Sequence, residues 1–169
     1  MKRFLVLVAF MFVYSGGAIA EGGIAVVDVA RAIFSTNIAK QRQDELQSAS
    51  EFSTQQAKYD SLGADMKALQ KEVEGKAMTL SQEQAAEYQK RMEYLRADIE
   101  LVSRKLQAEI KDLQNRIMEE LQPKALEAVK ELVAEEEITL LLQREAVISA
   151  TPDMDLTSKL IARLNNKTE

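Results

Sequence analysis

Seven residue pairs in this chain have position numbers that sum to 157 or 158: Phe52/Leu106, Gln55/Val102, Tyr59/Ile99, Leu62/Leu95, Met66/Met92, Leu69/Tyr88 and Val73/Ala85. Each series steps by alternating threes and fours, so each is a heptad seam on its own helix. A constant sum means that one seam climbs while the other descends. The chain is therefore a long antiparallel helical hairpin folded near residue 79, and Tyr59 should face the neighbourhood of Ile99. Gln55 is the one polar side chain in either seam.

The turn signals lie where this mirror places them. Gly75 interrupts the first helix, and Ser81 followed by Gln84 forms a capping box for the second. The arm spans 38–122, as helices over 38–75 and 82–122 with the tip at about 75–81. At about 1.5 Å per residue each helix is on the order of 55–60 Å long. An arm two helices thick has no deep core, so it must project from something.

The first twenty residues read as a signal peptide. Met1-Lys2-Arg3 is basic, Phe4 to Tyr14 is apolar, and Ala18-Ile19-Ala20 is a small-x-small cleavage site. Eleven apolar residues fall short of the roughly 20 that span a bilayer. No cysteine follows for a lipoprotein anchor. The expectation is an exported, soluble chain that begins at Glu21.

Composition narrows the chemistry. The chain has no Cys, His or Trp, and beyond residue 20 it carries 20 basic and 27 acidic residues. A disulfide framework, zinc sites and the common nucleophile–base pairs are thereby absent. No Gly-rich phosphate loop occurs, so neither an enzyme nor a cofactor is expected. A net charge of −7 gives nucleic-acid binding no electrostatic support. The acid is uneven: residues 58–96 hold seven charges of each sign, whereas 119–145 hold eight acids and three bases. The run Glu135-Glu136-Glu137 is either a docking patch or a solvated helix face.

Outside the arm the periodicity changes. Ile24 to Val29 is short, apolar and β-branched, and reads as a strand over about 24–29 that includes Val26, Val27 and Val29. Two further strands are expected at 138–143, with Leu140 and Leu142, and at 146–149, with Val147 and Ile148. Gln143-Arg144-Glu145 would join them as a hairpin. Asp155 caps a final helix over about 156–165, with Leu156, Leu160, Ile161 and Leu164 on one face. Pro123 should kink the second arm or restart it as a new helix carrying Ala125, Leu126, Val129, Leu132 and Val133 on its packing side.

The fold class is thus mostly α with a small β body. The body is discontinuous, from 21–37 and 123–169, and the arm is inserted in it. So small a body is marginal alone and leaves strand edges open, so an obligate homo-oligomer is expected. The seams also change phase: the second arm steps by four from Leu106 to Ile110 where three is due, and Leu46 and Ala49 leave the first seam's spacing. Below that height the arm should pack on the body or on a neighbouring copy.

Three segments resemble the Skp/OmpH family of periplasmic chaperones. They are Ile24-Ala25-Val26-Val27-Asp28 after the signal peptide, the helical hairpin, and the stretch from Leu140 through Val147-Ile148-Ser149 to Asp153-Met154-Asp155-Leu156-Thr157. The last is the most specific. The resemblance covers nearly all of the chain beyond residue 20. It implies a jellyfish-like trimer with a barrel-like central body and three projecting arms. It also implies a periplasmic, ATP-independent holdase that keeps unfolded outer-membrane proteins in the cavity between the arms. Two departures stand out. The best-known member is strongly basic and this chain is acidic, and Ile138-Thr139 and Gln143-Arg144 stand where many members have a Tyr-Asp pair before the strand and an Asp after it. No lipopolysaccharide site is therefore carried over to Lys76, Lys90, Arg91 and Arg96 near the tip.

A holdase needs weak and adaptable contacts. Tyr94, Leu101 and Ala108 recur every seven residues off the seam, and Ala57, Ala64 and Ala68 are small and off-seam on the first arm. Together they form the candidate client-facing stripe. Met66 facing Met92 either lets the arm flex or simply fills its core. The rival class is an envelope scaffold or adaptor whose coiled coil binds one folded partner. It has no need of a sheet built from both chain ends.

Overall fold

The computed structural model describes residues 23–168. The expected signal peptide and its cleavage after Ala20 lie outside the described residues. In chain order the elements are β1 (Gly23–Val27), α1 (Val29–Phe34), α2 (Asn37–Ser48), α3 (Ser50–Lys76), α4 (Gln82–Glu135), β2 (Ile138–Gln143) and α5 (Thr157–Thr168). Short 3₁₀ turns occupy Arg144–Ala146 and Pro152–Met154.

The hairpin is α3 against α4. Phe52, Val102 and Leu106 form a buried cluster that Leu46 and Leu62 flank. Met66 and Leu69 are buried higher up, and Tyr59 lines one groove with Ile99. Toward the tip the seam thins: Val73, Ala85, Tyr88, Met92 and Leu95 are only half-buried, and Tyr59 is 37% exposed. Two helices alone cannot enclose a side chain on every side, so this is the geometric limit of such an arm. The tip closes as its chemistry requires, with Ser81 Oγ accepting from Gln84 N at 3.2 Å and Gln84 Oε1 accepting from Ser81 N at 3.0 Å. Gly75 does not interrupt its helix; it lies inside α3, which ends one residue later.

Both arms depart from the expected bounds. The first is two helices, because Ala49 is extended (φ −61°, ψ 131°). Hydroxyls crowd that point: Ser48 Oγ donates to Asp44 O, Ser53 Oγ to Ala49 O and Thr54 Oγ1 to Ser50 O. Such side chains compete with the helical ladder for its own carbonyls. The second arm does not stop at 122. Pro123 sits inside α4, which neither ends nor restarts there. Its missing N–H deprives Glu119 of the usual donor, but Leu121, Ala125 and Ala128 around it are buried in the body's core. That packing keeps the chain helical through the loss.

The body core lies where α1, the lower part of α4 and α5 meet, around Ile33, Ile117, Leu121, Leu132, Leu160 and Leu164. Its sheet pairs β1 with β2 in parallel, with Val26 opposite Leu142. Two expected strand features are corrected here. Val29 is the first residue of α1 rather than the end of a strand, since Asp28 Oδ1 accepts from Arg31 N at 2.8 Å and caps the helix. No hairpin follows β2 either. Residues 144–146 form a 3₁₀ turn, and Val147 and Ile148 lie outside any strand. The chain there bonds to itself instead: Val147 N donates to Arg144 O at 3.3 Å and Arg144 Nη1 donates to Val147 O at 3.1 Å, while the outer edge of β2 takes no strand among the described residues.

A clasp joins the two chain ends. Leu156 N donates to Val26 O at 2.9 Å, and Asp28 N donates to Thr157 Oγ1, also at 2.9 Å. Asp155 Oδ1 accepts from Thr157 N. The Asp155-Leu156-Thr157 segment thus docks β1 onto the start of α5, and Leu156 and Thr157 are buried. The other end of α5 continues for three residues beyond its expected limit, to Thr168.

Candidate functional site

The arm presents surface rather than a pocket of converging groups. Among the described residues no cluster of His, Cys, Asp and Glu could hold a metal ion, and no helix is long and apolar enough to cross a membrane.

Tyr94 is 67% exposed and Leu101 46%; Ala57, Ala64, Ala68 and Ala108 are also exposed. Three of them line two different grooves. Ala68 and Tyr94 line a shallow groove of about 480 Å³ with Asp65, Arg91 and Leu95. Ala57 instead lines a larger cleft near the base, together with Ile110, Leu113 and Ile117. Heptad spacing cannot foresee that division, because the cleft depends on the elbow at Ala49. Met78 at the tip is further exposed apolar surface that periodicity did not single out, whereas Leu126, expected on the packing side of its helix, is 51% exposed on α4.

At the tip one cation is held across the hairpin. Tyr88 Oη donates to Glu72 Oε1 at 2.6 Å, and Lys76 Nζ lies 2.7 Å from the same carboxylate and 3.2 Å from the tyrosine oxygen. Lys76, then Tyr88, hold the Glu72 carboxyl below its ordinary range, and Glu72 in turn raises the Lys76 ammonium.

At the base the acidic run is a docking surface for the chain's own last helix. Arg163 bridges Glu131 and Glu135, Lys167 bridges Glu131 and Glu127, and Lys159 meets Glu136 at 2.6 Å. Glu137 follows in the left-handed region at φ 52° and turns the chain from α4 into β2. Lys167 first, and Arg163 with it, hold Glu131 below the usual carboxylate range; Arg163 does the same for Glu135. The Thr157 side chain, followed by its backbone N–H, lowers Asp155 likewise. A lowered carboxylate contributes stability that is complete above its unfolded value, about 4, and is lost as pH falls through the folded one. Acidification from pH 6 to pH 3 should therefore release α5 before the helical hairpin melts. Hydrogen exchange of residues 157–168 checks this, and equal protection of that helix at both pH values would contradict it.

The comparison with known proteins decides the family. The OmpH family, described as "Outer membrane protein (OmpH-like)", matches residues 23–164. The chain belongs to it. This OmpH-like chain is also 26% identical over 167 residues to a Skp-like protein of Pseudomonas aeruginosa, covering 98% of each. A solved structure of an OmpH-like protein from Caulobacter crescentus CB15 is 20% identical, with a TM-score of 0.49, over 86% of this chain and 85% of that one. The family match takes in β1, the whole arm and the clasp up to Leu164, so the body and arm are matched as one unit.

Proposed function

We propose that the chain is an ATP-independent holdase of the periplasm that keeps unfolded outer-membrane proteins from aggregating, in a cavity between the arms of a homotrimer. The observation that carries this reading is an arm with large apolar side chains, Tyr94 and Leu101, standing in solvent beside its own seam. Scattered exposed residues are ordinary on protein surfaces. Here, however, they flank a two-helix arm that has no third layer to cover them. Membership of the OmpH-like family supports the same reading. The assembly is proposed to form through β1, β2 and the segment carrying Val147 and Ile148.

The test is binding of several unrelated outer-membrane β-barrel proteins, each presented urea-unfolded and folded. Similar affinities for the unfolded forms, with none for the folded ones, are expected. A single folded partner bound to the exclusion of the rest would identify a scaffold or adaptor instead. Replacing Tyr94 and Leu101 together with serine should weaken suppression of client aggregation; undiminished suppression would remove the stripe from the mechanism.

A further inference from the structure

Two irregularities of this sequence coincide in space. On α4 the apolar spacing slips by one residue between Leu106 and Ile110, and on the facing strand of the arm the helix breaks at Ala49. The seam cannot close across both. Between the elbow of α2 and α3 and the facing part of α4 lies a cleft of about 780 Å³. This is within the roughly 300–1,000 Å³ of pockets that enclose small ligands.

Its lining differs from the rest of the arm. Leu46, Phe52, Ile110, Leu113 and Ile117 make the apolar wall, and Gln43, Gln47, Gln56 and Gln114 stand among them. Asp60 is the one charged side chain that lines it, in a chain that is 29% charged, and it already accepts from Gln56 Nε2 at 3.1 Å. The side chains of Gln43, Gln47 and Gln114 have no hydrogen-bond partner among the described residues. A primary amide both donates and accepts, so these groups match a ligand that brings unpaired N–H and C=O groups together.

That chemistry selects the occupant. A helix or a folded sheet arrives with its peptide groups already paired, whereas an extended chain does not. A charged segment gains nothing from an almost uncharged wall. We propose that this cleft is a subsite for an extended, uncharged polypeptide segment, taking a large apolar side chain against Phe52 and Ile110 while the glutamine amides pair with the flanking peptide groups. The proposal rests on the holdase reading and places one point of client contact at the arm's base, in addition to Tyr94 and Leu101 farther along the arm.

The chain has neither Cys nor Trp, which permits a specific probe. A bimane label on Gln114→Cys reports contact with tryptophan in a client, and a label on Thr79→Cys at the tip serves as the control. An urea-unfolded outer-membrane protein containing tryptophan should quench the first label several-fold and leave the second nearly unchanged. Ile110 is 40% exposed, so Ile110→Asp tests the wall with little burden on folding. It should weaken client binding about tenfold, the effect of losing one buried apolar side chain. Client binding with neither quenching at 114 nor an effect of Ile110→Asp would overturn the subsite and leave the holdase reading intact. No client binding by the unsubstituted chain would overturn both. A label shielded without client, and more so at higher protein concentration, would show that a second copy covers the cleft, which also overturns the proposal.

Discussion

Leu160→Ala should lower the melting temperature of the body by many degrees, whereas the same-sized deletion Leu69→Ala in the arm should leave that transition nearly in place. Leu160 is fully buried on α5 among Ile33, Leu121, Leu132 and Leu164. Removing a leucine from such a site typically costs about 2–5 kcal/mol, because the surrounding atoms collapse only in part. With roughly 2–4 °C lost per kcal/mol in a protein of this size, the shift is on the order of 5–20 °C. Leu69 is nearly as well buried at 4% exposure, but its neighbours on α4 are only half-buried and free to move in. The arm can also open locally without the body, since local unfolding follows local packing density. Calorimetry that found both substitutions lowering one shared transition equally would show arm and body to be a single cooperative unit.

Leu140→Asp combined with Ile148→Asp should abolish oligomerisation. In the single chain Leu140 is 47% exposed and Ile148 fully so, and surface substitutions of that kind usually change stability by no more than about 0.5 kcal/mol. In the proposed trimer both positions lie in the segments that join the copies, and a carboxylate placed there would be stripped of water without a partner. Such burial costs several kcal/mol per charge, enough to dissociate the assembly. Sedimentation would show a monomer, and unchanged helicity in that monomer would overturn the expectation that the oligomer is obligate. A variant that sediments as the unsubstituted protein does would take both residues, and this part of the body, out of the interface. Client binding can then be compared between monomer and oligomer.

Much of the arm was legible before any coordinates. Heptad spacing and the capping box at Ser81 and Gln84 depend on residues a few positions apart, and local geometry allows them few outcomes. The strand after Gly23 and the last helix were legible for the same reason. The tandem strands at 138–149 were not. Apolar residues favour extended backbone at both places, but only β2 pairs with β1, while bonds between Arg144 and Val147 close a 3₁₀ turn where the second strand was expected. Each residue of the candidate stripe, Tyr94, Leu101, Ala108, Ala57, Ala64 and Ala68, is exposed. Whether those residues share one surface depends on the elbow at Ala49, which a heptad count does not register.

By itself, then, the sequence determined the antiparallel hairpin and its turn, and left few groups for covalent chemistry. These follow from spacing and from side-chain inventory. Only the tertiary structure decided that α4 runs through Pro123, that acids from Glu127 to Glu136 hold α5, and that Thr157 takes the Asp28 N–H from 129 residues away. The cleft beneath Phe52 belongs with these, since two defects on separate helices form it only when the helices face each other. The physical reason is one of range. A helix is chosen by neighbours within about four residues, whereas a proline's tolerance, a salt bridge's partner and a cleft's walls are supplied by segments that meet only after folding.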